Sequence, residues 1–153
     1  MGYILDDNYF MRLALREAAR SLPLDVPVGA IVVQDGKILS RGHNQREKKR
    51  DPTLHAEIMA LRKAALKLQN WYLDRVTVYV TLEPCPMCAG ALLLARVKRV
   101  VFGAFDPKGG ALGSVVNLNQ EGLFNHHFEC LGGVEGEACA KLLKEFFQIR
   151  RGG

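Results

Sequence analysis

Two short clusters far apart in the chain, His55-Ala56-Glu57 and Pro84-Cys85-Pro86-Met87-Cys88, constrain its folding more than any other feature. A histidine and a C-x-x-C pair are metal-ligand types, and they act together only if the fold brings them to one point. Between them, residues 75–82 are rich in Val, Thr and Tyr and read as a strand. A helix is expected from about 51–53 to 68, and another from Pro84 or Cys85 to about 96. Each cluster therefore falls at the start of one of two successive helices joined through a strand.

That placement has chemical consequences. Cys85 and Cys88 lie in one helical turn, so both sulfurs share a side. The same turn carries unsatisfied N–H groups and the positive end of the helix dipole, which favour thiolate, the metal-binding form. A neutral His55 imidazole completes an N-S-S set suited by ligand softness to one Zn²⁺ per subunit. Three protein ligands leave the fourth tetrahedral position open to water, the mark of a catalytic rather than a structural zinc. Glu57, two residues beyond His55, does not share its helix face, which places it beside the open position as a proton carrier. The competing arrangement is a four-ligand structural zinc using Glu57 or a distant histidine. His43, His126 and His127 lack the spacing to join the set, and Cys130 and Cys139 are expected to be buried, inert thiols.

The rest of the chain supplies a frame. Residues 7–21 carry a helical stripe of Met11, Ala14, Leu15, Ala18 and Leu22, with Asp6 or Asp7 as cap. Strands at 28–33 and 38–43 flank Asp35-Gly36, a hairpin signal. Residues 44–52 form a polar, basic loop, and 98–103 a further apolar strand. A glycine-bearing loop at 105–114 lacks G-K-[ST] and is no P-loop. A weaker strand follows at 127–131. The last helix, 136–150, is expected to bury Ala138, Leu142, Leu143, Phe146 and Phe147, while the helix from 51 is expected to face Ile58, Leu61, Ala65 and Leu68 inward. Strands alternating with helices after a hairpin predict an α/β chain with a mixed sheet and helices on both faces. At 153 residues, with no linker or internal repeat, residues 1–153 read as a single domain.

Charge and hydropathy narrow the function classes. No run approaches a membrane span, and the stretch from Met1 to Asp7 lacks the basic start and apolar core of a secretory signal, so a cytoplasmic protein is expected. The net charge of +5 permits a nucleic-acid partner. Arg46, Lys48, Lys49 and Arg50 cluster in the basic loop, and Lys141, Lys144, Arg150 and Arg151 punctuate the C-terminal segment.

H-x-E…P-C-x-x-C is a general signature of zinc nucleobase deaminases. The chain resembles, over nearly its whole length, the bacterial tRNA-specific adenosine deaminases of the cytidine-deaminase-like fold. The likeness runs through Val26-Pro-Val-Gly-Ala30, His43-Asn44, Asp51-Pro52-Thr53, His55-Ala-Glu-Ile-Met-Ala-Leu61, Tyr79-Val-Thr-Leu-Glu-Pro-Cys-Pro-Met-Cys-Ala-Gly90, Arg99-Val-Val-Phe-Gly-Ala104, Asn125-His126 and the Phe146-Phe147 end. The resemblance implies a three-layer α/β/α fold with a five-stranded mixed sheet. It implies deamination of adenosine to inosine at the wobble position (34) of a tRNA anticodon, chiefly tRNA-Arg, by a zinc-activated water with Glu57 as proton shuttle. It further implies a homodimer in which each site is bordered by the partner. By likeness, Asn44 hydrogen-bonds the target base and Val28 lines its pocket. Asp106 and Lys108 touch neighbouring nucleotides, and Phe146, Phe147 and Arg151 help seat the anticodon stem-loop. His127 and Phe105 depart from the family's usual residues. A deaminase of free nucleobases, nucleosides or nucleotides would share the zinc chemistry without the RNA, and a catalytically silent zinc-stabilised RNA-binding subunit would share the fold without the reaction.

Overall fold

The computed structural model describes residues 6–152; the stretch Met1–Leu5, read above for a targeting signal, lies outside them. The elements run α1 (Asp7–Ala19), β1 (Gly29–Gln34), β2 (Lys37–His43), α2 (Arg46–Lys49), α3 (Ala56–Leu68), β3 (Val76–Leu82), α4 (Pro86–Leu94), β4 (Arg99–Ala104), β5 (Glu129–Leu131) and α5 (Gly136–Gly152). The strands form one sheet in the order β2-β1-β3-β4-β5. β1 is antiparallel to β2 and to β3, while β3, β4 and β5 run parallel. The sheet is mixed and five-stranded, as expected.

Alternation along the strands sends side chains to two cores. Ala30, Val32, Val78, Val80 and Val100 face α3 and α4 on one side. Ile31, Val33, Tyr79 and Val101 face Phe10, Met11 and Ala14 of α1 and Cys139 of α5 on the other. The layers are thus α/β/α. Among the described residues no helix is long and apolar enough to cross a membrane.

Several expectations need correction. α1 stops at Ala19, because Arg20 and Ser21 bond back to Glu17 and Ala18 in tighter turns, and this leaves Leu22 exposed. α3 begins at Ala56, not near 51–53. The Asp51 carboxylate accepts the N–H and hydroxyl of Thr53, a local turn that competes with helix at Pro52, and the basic loop itself holds the short α2. The inward face of α3 is Ala56, Ala60 and Ala64 with Leu61 and Glu57, while Ile58, Ala65 and Leu68 are only half-buried. The small residues have a reason: a Cβ at Gly42 of β2 would lie 2.4 Å from the Ala56 carbonyl oxygen, so helix and strand touch backbone to backbone.

At the far edge β5 has three residues, and Cys130 is exposed rather than buried because no layer covers that strand. Among the described residues of α5, only Cys139 and Phe146 are buried. Leu142 and Leu143 are partly covered, and Ala138 and Phe147 face outward, since the helix rests on β4 along a narrow stripe. Cys139 is buried as expected, against Gly103.

Candidate active site

The parallel strand β3 ends at Leu82, and α4 starts just beyond it; the helix α3 starts beside the same sheet edge. Cys85 is the N-cap of α4, with Pro86 at its first helical position, and His55 is the N-cap of α3. Two helix starts therefore meet. His55 Nδ1 lies 3.6 Å from Cys85 Sγ and 3.5 Å from Cys88 Sγ. All three donor atoms fall within 4.8 Å of one another, the one group of that kind identified among the described residues.

These separations suit a tetrahedral ion. With Zn–S about 2.3 Å and Zn–N about 2.0–2.1 Å, a tetrahedral angle requires an N···S distance of about 3.6 Å. The borderline-soft N-S-S donor set matches zinc as well. The two cysteine sulfurs shift each other's ionisation in opposite directions. The hydrogen bond from Cys88 holds the Cys85 thiol down at about 4, and the same bond pushes Cys88 upward. His55 is raised, first by its bond to the Cys85 sulfur. A thiolate at Cys85 is the form that a cation would bind.

Glu57 lies in the first turn of α3, 4% exposed. Burial lifts its carboxyl to about 7, reinforced by the nearby Cys85 sulfur. It shares with His55, Cys85, Val26, Val28, Asn44, Arg46 and Asp106 a cavity of about 160 Å³. Asn44 is buried and fixed: its Nδ2 donates to the Val26 carbonyl at 3.1 Å and its Oδ1 accepts the Arg46 N–H at 3.0 Å. One amide hydrogen and one lone pair remain for a ligand. The Ser21 hydroxyl steadies the Asn44 carbonyl, and the buried Asp25 carboxylate accepts the N–H groups of Glu47 and Lys48 at 2.6 and 3.1 Å. That last pair ties the basic α2 to the rim.

The cavity thus gathers Val28, Asn44, His55, Glu57, Cys85 and Asp106, with Cys88 behind them. It does not gather Lys108, Phe146, Phe147 or Arg151. Lys108 is exposed on the 105–114 loop. Phe146 is buried beside Leu22 and Pro23, with the Arg150 guanidinium 5.1 Å from its ring centre, while Phe147 and Arg151 are exposed. His43 is buried 3.9 Å from Glu17, its proton affinity lowered by burial, and His126 bonds the Val97 carbonyl. The sequence marked Arg46 only as one of the basic loop's cations and not as a residue at the mouth, and it marked no role for Glu83. Glu83 lies inside the Tyr79–Gly90 motif, whose regularity was the available signal. Burial alone would raise its carboxyl, but hydrogen bonds from Ser114, Asp106 and Leu112 outweigh it and hold the group below the usual range.

The MafB19-like deaminase family model matches residues 5–151. A tRNA-specific adenosine deaminase from Bacillus subtilis is 48% identical over 146 residues, covering 95% of this chain and 91% of the relative. One from Haemophilus influenzae is 48% identical over 147 residues, covering 95% and 85%. A solved structure from work on A-to-I editing by tRNA:A34 deaminases at the wobble position of transfer RNA superposes with a TM-score of 0.84 at 39% identity, covering 88% of this chain and 98% of that one.

Proposed function

The chain belongs to the MafB19-like deaminases and, among them, to the tRNA-specific adenosine deaminases, and from that premise we propose that it converts adenosine to inosine at position 34 of a tRNA anticodon, tRNA-Arg first. The observation that carries this reading is the joint placement of Glu57, Asn44 and the His55–Cys85–Cys88 trio around one cavity. His55, Cys85 and Cys88 would hold one zinc per subunit, and when bound it would supply a Lewis acid that lowers the pKa of water.

The protein's own groups do the rest. Glu57, with a proton affinity near neutrality, takes a proton from the attacking water and places it on N1 of adenine. As oxygen bonds to C6, the C6–N1 π pair moves onto N1, which keeps the delivered proton. Glu57 then carries the remaining hydroxyl proton to the amino group, and the carbon–nitrogen bond breaks, releasing ammonia and leaving C6=O with N1–H. Asn44 orients the base through its free amide capacity, and Val28 packs on the ring. A wobble base is already partly unstacked, so turning it into the cavity costs at most a few kcal/mol. Exposed Arg46, Lys48, Lys49 and Arg50 meet phosphates beside the mouth, while Asp106, Lys108, Phe146, Phe147 and Arg151 shape the approach of the loop. Phe146 acts in this from within, by propping Arg150, and Phe147 from the surface.

A homodimer is part of the proposal. Leu66 of α3, Leu94 of α4 and Trp71 in the connection after α3 are 79%, 75% and 67% exposed, beside a shallow apolar cavity lined by Ile58, Leu61, Ala65 and Ala91. A patch of this kind marks an association surface. One deaminase domain in the cytoplasm, where tRNA is found, completes the picture. Purified protein incubated with an unmodified arginine-tRNA anticodon stem-loop, and in parallel with adenosine, guanine and cytidine, tests the reading. Inosine at position 34, read by mass, is the expected result; turnover confined to the small molecules would reject it.

A further inference from the structure

Glu83 has no part in the chemistry above, yet it is one of the least accessible charged groups described, 2% exposed at the base of the cavity. Its Oε1 accepts the Asp106 N–H at 3.1 Å and also the Ser114 hydroxyl. Its Oε2 accepts the N–H groups of Leu112 and Ser114, each at 3.0 Å. Main-chain bonds flank it on both sides, from Glu83 N–H to the Ala104 carbonyl and from Ala111 N–H to the Pro84 carbonyl, both 2.8 Å. At Gly110 a Cβ would lie 2.3 Å from the Glu83 carboxyl carbon, so the loop backbone closes directly onto the carboxylate.

The 105–114 loop needs such an anchor. It contains Gly109, Gly110 and Gly113, the last at φ 138, a backbone that loses much entropy on ordering. Phe105 is 60% exposed and meets Phe102 edge-on, and the loop's buried apolar groups, Ala111 and Leu112, lie after the stretch that carries Asp106 and Lys108. What the loop carries matters for the reaction. Asp106 lines the cavity and turns its Oδ1 onto the Lys108 and Gly109 N–H groups at 3.0 and 3.1 Å.

We propose that Glu83 is a positioning residue whose carboxylate fixes the 105–114 loop, setting Asp106 and Lys108 where they meet the nucleotide beside the target base. The identity of that ligand rests on the function proposed above. Glu83 therefore governs how the polynucleotide is seated, while Glu57 governs the proton.

Glu83→Gln keeps the shape but turns an amide group toward main-chain donors. It is expected to raise KM for the anticodon stem-loop on the order of tenfold, with kcat changed less and zinc content unaltered. In an Asp106→Ala background the same change should add little, because the residue it positions is gone. Ser114→Ala and Gly110→Ala disturb the anchor while leaving Glu83 in place, and should raise KM in the same sense. An unaltered KM in folded, zinc-loaded Glu83→Gln, or full additivity with Asp106→Ala, would overturn the proposal. If Glu83→Gln does not fold, an unchanged KM in both Ser114→Ala and Gly110→Ala would do so. Should wild-type protein make no inosine in the stem-loop, the functional reading fails separately. Amide exchange then decides the anchor: protection at Leu112 and Ser114 is expected to vanish in Glu83→Gln, and its persistence refutes the role.

Discussion

Burial gives Glu57 its proton affinity, and the same burial makes it a burden on the fold. A carboxyl raised from 4.5 to about 7 binds its proton more tightly in the folded than in the unfolded chain. Its contribution to stability is fully present below the unfolded value and is lost as pH rises through about 7. In metal-free protein, the stability of wild type relative to Glu57→Gln should therefore fall across that window, by at most about 3 kcal/mol. Urea unfolding of both proteins at several pH values measures the difference, and taking the difference cancels the opposite slope from the depressed Cys85 thiol. A flat difference would show that Glu57 is not held protonated by burial. The same substitution should lower deamination by about 10²–10⁴ while zinc content stays at wild-type level, because the ligand trio is intact.

Among the elements, α3 is the most constrained, since it carries His55 at its cap and Glu57 in its first turn while lying backbone to backbone on β2. Gly42→Ala would place a methyl 2.4 Å from the Ala56 oxygen and 2.9 Å from the Ala60 nitrogen. Neither backbone atom can turn aside, so the helix must move. We expect a loss of about 1–3 kcal/mol in urea unfolding, together with weaker zinc retention against a chelator, because His55 shifts relative to the cysteines on α4. Unchanged zinc retention in the destabilised variant would show that the helix start does not set the trio. This contact also explains what sequence could and could not reveal. The cysteines were legible because C-x-x-C at a helix start is a local device, and His55-x-Glu57 because its residue types are rare together. The alanine face of α3 was not, because aliphatic periodicity favoured Ile58 and Ala65, and only the proximity of Gly42 across the sheet made the smaller residues the buried ones. The start of α3 was misplaced for a similar reason, as Asp51 spends its carboxylate on Thr53. Glu83 stayed hidden because its donors arrive from residues 106–114, a pairing no sequence spacing encodes.

At the scale of the whole molecule, the exposed apolar groups and the cavity lie on different parts of the surface, yet the proposed reaction joins them. Leu66 and Leu94 project from α3 and α4, the two helices whose opposite ends hold His55 and the cysteines, and Trp71 projects from the connection that follows α3. A second chain seated there would brace the elements that fix the zinc ligands. The patch continues past Leu94 to Phe124 and His126 around a further cavity of about 290 Å³, so the buried face would be broad. Leu94→Glu tests this with little risk to the fold, because the side chain is 75% exposed and leaves no core void. At micromolar concentration wild-type protein should sediment at twice the 17.0 kDa chain mass. The variant, forced to bury a carboxylate at each copy of the contact, should sediment as a single chain. Its circular dichroism should match wild type, and its turnover of the anticodon stem-loop should drop because the partner no longer braces the two helices. A wild-type protein that sediments as one chain, or a monomeric variant with undiminished turnover, would separate the apolar face from catalysis and leave the cleft complete within one subunit.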